Sequence, residues 1–155
     1  RRETPPLLAN CAEATHRAVG LLAQLRDFGR GGRGTVRRLA PLAPGLVSTL
    51  ALVRYRLPPG VTVHESYGDV PDVACVPAEL SQVFINLLMN AIDALAPGGN
   101  LWLSLDHDGP EVCVTVRDDG AGIAPEILPH VFEPFVTTKA AGLGTGLGLA
   151  ISQAI

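Results

Sequence analysis

The apolar positions of this chain recur with two different periods, and the change between them divides it into elements. Over residues 7–28, Leu7, Cys11, Ala14, Ala18, Leu21, Leu25 and Phe28 fall three and four apart, a heptad seam that predicts one long helix. Leu8, Thr15 and Leu22 widen the seam to the stripe a helical bundle needs. Packing on its own domain is the plainer fate of such a helix. The width of the stripe and the terminal position favour a dimerising bundle. "GRGGRG" at 29–34 breaks the pattern and reads as a hinge, solvated and locally basic with Arg37 and Arg38.

A second helix is expected from about Pro41, with Leu42, Leu46, Leu50 and Val53 on one face; Pro41 and Pro44 fit its first turn. "VTV" (61–63) and "VACV" (73–76) are short strand candidates around a polar, glycine-containing turn. "PAELSQVFINLLMNAIDAL" (77–95) is the strongest helix, and "APGGN" (96–100) ends it with glycines in the manner of a C-cap. "LWLSL" (101–105) and "VCVTV" (112–116) alternate with period two on either side of "DHDGP", which predicts a hairpin. Leu101, Leu103 and Leu105, then Val112, Val114 and Val116, give it one apolar face for helices to cover. Residues 117–155 are loop-rich, with glycines concentrated at 142–148. The order predicts an α+β fold, a two-layer sandwich of helices on a mixed, mostly antiparallel sheet, preceded by one long helix.

Composition narrows the classes. Of 155 residues, 47% are hydrophobic and 17% charged, enough for a sizeable core. A net charge of −3 leaves no overall electrostatic footprint for nucleic acid. Cys11, Cys75 and Cys113 are far apart and odd in number, which argues against a disulfide framework or zinc site and fits a reducing compartment. No apolar run approaches the ~18 residues of a membrane span, and no signal peptide is visible. The chain begins at Arg1, not Met, so it is expected to be a fragment whose parent could carry a membrane anchor upstream.

Three features carry candidate chemistry. On a wheel of the 77–95 helix, Glu79, Gln82, Asn86, Asn90 and Asp93 fall within about one quadrant, and nearly everything else is apolar. Buried amides must find partners or cost about 1–3 kcal/mol each. Asn86 and Asn90 either cap neighbouring backbone or face a polar ligand; an Asn carbonyl suits hydrated Mg²⁺. "DDGAGI" (118–123) follows the second hairpin strand: Gly120 and Gly122 permit positive φ, and Asp118 could accept a hydrogen bond from an exocyclic amine. A tight Asp/Gly turn is the plainer account of that box. "GLGTGLGLAI" (142–151) alternates four glycines before a helix, a pattern whose free N–H groups suit phosphates. Its spacing is not that of a P-loop, and neither box completes the Rossmann fingerprint.

In order, NLLMNAIDA, DDGAGI, FEPF (132–135) and GTGLGL (144–149) resemble the N, G1, F and G2 boxes of the ATP-binding catalytic domain of bacterial sensor histidine kinases. These share the Bergerat fold with DNA gyrase, mismatch-repair ATPases and the large heat-shock chaperones. The resemblance covers about residues 36–155 and implies ATP and Mg²⁺ as ligands, with Asn90 on the metal and Asn86 on the phosphate side. It implies that Asp118 reads the adenine amino group, with Gly120, Gly122 and Ile123 around the base. Phe132 and Phe135 would anchor a lid, with Lys139 near the phosphates, and Gly144, Thr145, Gly146, Leu147 and Gly148 would wrap them. Asp93 belongs to the same implied site, although many family members carry Lys or Arg there; "NAxDA" is similar to the nitrogen-regulation subgroup. Residues 1–30 resemble the second helix of a dimerisation and phosphoacceptor hairpin, and 31–35 a linker.

The resemblance further implies a homodimer through the 7–28 helix, a response-regulator receiver domain as partner, and a cytoplasmic location. The phosphoacceptor box is absent: His16, His64, His107 and His130 all lack its context, so the accepting histidine is expected outside the fragment. The chain also stops just after the glycine loop, where the family continues. An ATP-hydrolysing relative and a degenerate interaction module are the rival readings. The first needs a Glu at position 86, where this chain has an amide that cannot take a proton.

Overall fold

The computed structural model describes residues 36–140 and 144–155. The expected helix over 7–28, the linker at 31–35 and Gly142 lie outside the described residues. Five strands and three helices follow in the order β1 (Arg38–Ala40), α1 (Leu42–Val53), β2 (Thr62–Tyr67), β3 (Val73–Cys75), α2 (Pro77–Ala94), β4 (Asn100–Asp108), β5 (Glu111–Asp118) and α3 (Gly148–Ala154). Short 3-10 turns occupy Arg54–Arg56 and Leu128–His130.

The fold is α+β, with helices on a mixed sheet. β4 is central: it runs parallel to β2 and antiparallel to β5, while β1 and β3 form a separate antiparallel pair. The hairpin face alternates as its sequence predicts. Leu101, Leu103 and Leu105 are essentially fully buried; Leu101 and Leu103 cluster with Leu50 and Val53 of α1 and Leu88, Ala91 and Ile92 of α2, while Leu105 joins a smaller cluster with Leu42 and Cys75. Each such leucine contributes about 1.5–3 kcal/mol by leaving water. α1 buries Leu42, Leu46, Leu50 and Val53, the face its spacing marks. On the other face of the sheet His64 stacks on Trp102 at 5.3 Å, with the Arg117 guanidinium 5.1 Å from the same ring. Tyr67 packs on both cores and donates its hydroxyl to Glu65 Oε2 at 2.8 Å; burial and that carboxylate push its phenol up.

Local detail goes beyond the sequence pattern at four places. The strand candidates at 61–63 and 73–76 are both strands, and they belong to different sheets. Just past β2, the Gly68 N–H still donates to the Leu105 carbonyl at 2.7 Å, so close that a Cβ there would press on that oxygen at 3.0 Å. The hairpin loop is two residues, Gly109 and Pro110, with Asp108 opposite Glu111, so both strands run further than their apolar pattern. Gly109 at φ 57° supplies the positive φ that a tight hairpin turn requires. The end of α2 is not a glycine cap. Leu95 already has ψ 140°, and Pro97 two residues on cannot continue the helix; Gly98 at φ 80° serves the turn into β4. β1 itself has no readable pattern and is present only as the partner of β3.

Candidate functional site

α2 is the floor of the site. Almost every residue along it is at least half-buried, with Ala78 and Asp93 the exposed exceptions, so the narrow polar stripe sits on an otherwise packed helix. Asn86 is 8% exposed and fully engaged by protein. Its Nδ2 donates to the Gly148 carbonyl at 2.8 Å and to Ser152 Oγ at 3.1 Å, and its Oδ1 accepts from Gln82 Nε2 at 3.1 Å. Asn86 therefore ties the first turn of α3 to α2. The Asn90 Oδ1 accepts a long hydrogen bond, 3.4 Å, from Lys139 Nζ, and the same ammonium lies 2.6 Å from Asp93 Oδ2. Arg56, just after α1, reaches Asp93 Oδ1 at 3.4 Å.

The first glycine loop closes on the end of α2. Gly120 has no space for a side chain, since a Cβ would overlap the Ala94 carbonyl. Ala121 N–H donates to that carbonyl at 3.1 Å. Asp118 Oδ1 accepts from Gly120 N–H at 2.9 Å, which fixes its carboxylate at the end of β5. Gly122 has φ 69° with nothing near its missing Cβ, so conformation and not crowding explains it. Ile123 is 53% exposed beside it. Asp119 was not singled out by sequence. It accepts from the Asn100 backbone N–H at 2.7 Å and from Asn100 Nδ2 at 2.9 Å, and these bonds hold its carboxyl below the usual range. The adjacent acid in "DDG" was the only signal for it.

The segment between the glycine loops meets the second one backbone to backbone. Phe135 N–H donates to the Gly146 carbonyl at 2.8 Å, Phe135 has φ 70°, and a Cβ at Gly146 (φ 64°) would overlap the Phe135 backbone. Phe132 and Phe135 are 49% and 69% exposed. A Cβ at Gly144 would overlap Thr137 Oγ1 and press on the Lys139 stem. Thr145 Oγ1 accepts from Leu147 N–H at 3.2 Å, and Leu147 is buried, anchoring the loop. The glycine box thus folds over Lys139, and Lys139 folds over Asn90 and Asp93. Ser152 and Arg56 join the site as partners that sequence reading did not assign to it, and Gln82, already on the polar stripe, acts through Asn86.

An amide oxygen facing an ammonium tolerates positive charge, which is the property a hard divalent cation requires. Among the described residues no three His, Cys, Asp or Glu converge, so any metal here would be held by few protein oxygens. A groove of about 230 Å³, lined by Leu42, Gly45, Leu80 and Phe84 among others, lies away from these groups and is mainly apolar.

Residues 75–155 match the family described as histidine kinase-, DNA gyrase B- and HSP90-like ATPase. The chain belongs to this family. This ATPase-family chain is 37% identical over 151 residues to the C4-dicarboxylate transport sensor protein DctB of Pseudomonas aeruginosa, covering 93% of the chain and 24% of that protein. It is 46% identical over 80 residues to the sensor histidine kinase ZraS of Salmonella typhi, covering 51% of the chain and 17% of that protein. Among solved structures, the mycobacterial sensor histidine kinase MprB superposes with a TM-score of 0.67 at 28% identity, covering 76% of each chain. The ATPase-family chain thus spans a quarter or less of the curated relatives named here. Among its described residues no helix is long and apolar enough to cross a membrane.

Proposed function

We propose that the chain is the ATP-binding catalytic module of a sensor histidine kinase in a two-component system. It binds ATP with Mg²⁺ and passes the γ-phosphoryl to a histidine outside residues 1–155. The observation that carries this reading is the convergence of three sequence-distant segments on one face of α2: the first glycine loop at Ala94, the second at Asn86, and Lys139 between them at Asn90.

In this reading Asp118 accepts from the adenine amino group, and the loop at Gly120 and Gly122 lies along the base. The backbone of residues 144–148 and the Lys139 ammonium face the phosphates, with Phe132 and Phe135 anchoring the covering segment. Asn90 Oδ1 would hold Mg²⁺, which when bound neutralises phosphate charge. The acceptor imidazole nitrogen forms a bond to the γ-phosphorus as the bond to the bridging oxygen breaks, and ADP leaves. The protein's contribution is positioning and electrostatics. A response-regulator receiver domain then takes the phosphoryl group, the 7–28 helix pairs two copies, and the chemistry sits in the cytoplasm, where ATP is. Residues 1–30 and 31–35 are the hairpin helix and linker of this arrangement, and 36–155 the catalytic domain.

Hydrolysis is the weaker reading for a stated reason: Asn86 is an amide with its oxygen already taken by Gln82, so position 86 offers no base for water. Calorimetry with ATP and Mg²⁺, followed by phosphotransfer in the parent protein, tests the proposal. Binding that Asn90→Ala abolishes, with an acid-labile phosphoryl adduct, supports it. Absence of ATP binding, or steady hydrolysis that Asn86→Ala removes, refutes it.

A further inference from the structure

Lys139 is the chain's only lysine, and its position is fixed at both ends. A Cβ at Gly144 would lie 3.0 Å from its Cβ and 3.2 Å from its Cδ, so the glycine loop packs along its stem. At the other end Asp93 Oδ2 takes the ammonium at 2.6 Å, across 46 residues of sequence. An ammonium has three donors, and a second one reaches Asn90 Oδ1 at 3.4 Å. Asp93 is also shared with Arg56, so one carboxylate holds two cations and leaves a net positive charge beside Asn90. Removing that carboxylate would leave two unscreened cations facing each other, and the segment carrying Lys139 would be pushed outwards.

We infer that Asp93 is the positioning residue of the site: it latches Lys139, and with it the described residues 135–140, onto α2 beside Asn90. The latch rests on the nucleotide-site reading only for its purpose, which is to present a preorganised cation to the polyphosphate. Asp93 and Lys139 side chains are 27% and 34% exposed, so the pair is accessible to competition by solvent and salt.

The single lysine gives a direct test. A lysine-specific protease cuts this chain after Lys139 and nowhere else, and native-state cleavage tracks how often that bond is exposed. Without nucleotide, Asp93→Asn is expected to be cut about three- to fivefold faster than the unsubstituted chain, the opening expected for a partly exposed ion pair. Asp93→Arg should be cut faster still, and Asp93→Glu should restore most of the protection. Equal rates for the unsubstituted chain and Asp93→Asn overturn the inference. So does an equal rise in cleavage by an arginine-specific protease at Arg117 in β5, which would mean global loosening. Calorimetry with ATP and Mg²⁺ should show a severalfold weaker Kd for Asp93→Asn and recovery in Asp93→Glu. If the unsubstituted chain binds no ATP, the functional reading falls, while the cleavage rates still decide the latch.

Discussion

Asn86 and Ser152 are joined across 66 residues of sequence by a hydrogen bond of 3.1 Å from Asn86 Nδ2 to Ser152 Oγ. Ser152 in turn donates to the Gly148 carbonyl at 2.9 Å, the same oxygen that Asn86 reaches at 2.8 Å. Two side chains therefore converge on one carbonyl in the first turn of α3. The glycine loop is held to α2 by a closed polar knot set among Leu147, Ala150 and Ile151, all buried.

Removing the knot's centre should cost more than removing its edge. Asn86→Ala leaves Gln82 and Ser152 each short of a partner and is expected to lose about 1–3 kcal/mol, the cost of unsatisfied buried groups. Ser152→Ala leaves the Asn86 bond to Gly148 intact and should lose about 0.5–1.5 kcal/mol. Urea denaturation of both variants checks the order; the reverse ranking would show that Asn86 does not organise α3.

The two glycines of the first loop should respond differently. Gly120→Ala drives a methyl into the Ala94 carbonyl and has to displace the loop, at about 1–3 kcal/mol and with a loss of ATP affinity. Gly122→Ala meets no atom within 4 Å and costs only its left-handed conformation, about 1–2 kcal/mol. Gly122→Asn should recover part of that, since Asn tolerates positive φ, whereas Gly120→Asn should recover nothing. Thermal melts and nucleotide binding on the four variants separate crowding from conformation.

These contacts mark the limit of what the sequence discloses. The polar stripe on α2 and the apolar face of the hairpin were legible because a helix and a strand each repeat over several residues. The glycines were legible as places of close approach, but not what approaches: Ala94 for Gly120, Phe135 for Gly146 and Lys139 for Gly144 are set by tertiary packing. Asp93 could not be explained from its own helix because its partners, Arg56 and Lys139, come from 37 and 46 residues away. β1 was invisible because three residues carry no period, and β3 supplies the only reason for it to be extended. The strand candidates at 61–63 and 73–76 were legible, but not their partners: β2 pairs with β4 and β3 with β1, which only the tertiary fold brings together.

Asp119 gives the loop an acid-sensitive tether. The Asn100 backbone N–H, then its side-chain amide, hold the Asp119 carboxyl below the usual range. A carboxyl lowered on folding stabilises the folded state above its unfolded value, about 3.9, and that stabilisation is lost as pH falls through the folded value. Asp119→Asn should therefore melt below the unsubstituted chain at neutral pH, and the gap should close at pH values under the ordinary carboxylate range. A gap that persists unchanged in acid would show that the Asn100 bonds do not depend on the charge.

Phe135 is the one described residue other than glycine with positive φ, at 70°, and its N–H is bonded to the Gly146 carbonyl. Left-handed backbone costs an L-residue roughly 1–2 kcal/mol, and glycine escapes that cost. The ring is 69% exposed, so little burial offsets the strain. Phe135→Ala and Phe135→Gly both delete the ring, and only the second removes the strain. Phe135→Gly should consequently be the more stable of the two by about 1 kcal/mol in urea denaturation, against the usual order in which glycine is the costlier replacement. In a Gly146→Ala background the Phe135 backbone can no longer dock against residue 146, so the advantage of glycine at 135 should shrink towards zero. An undiminished difference in that background would mean that the positive φ is set by the local chain and not by the junction of the two boxes.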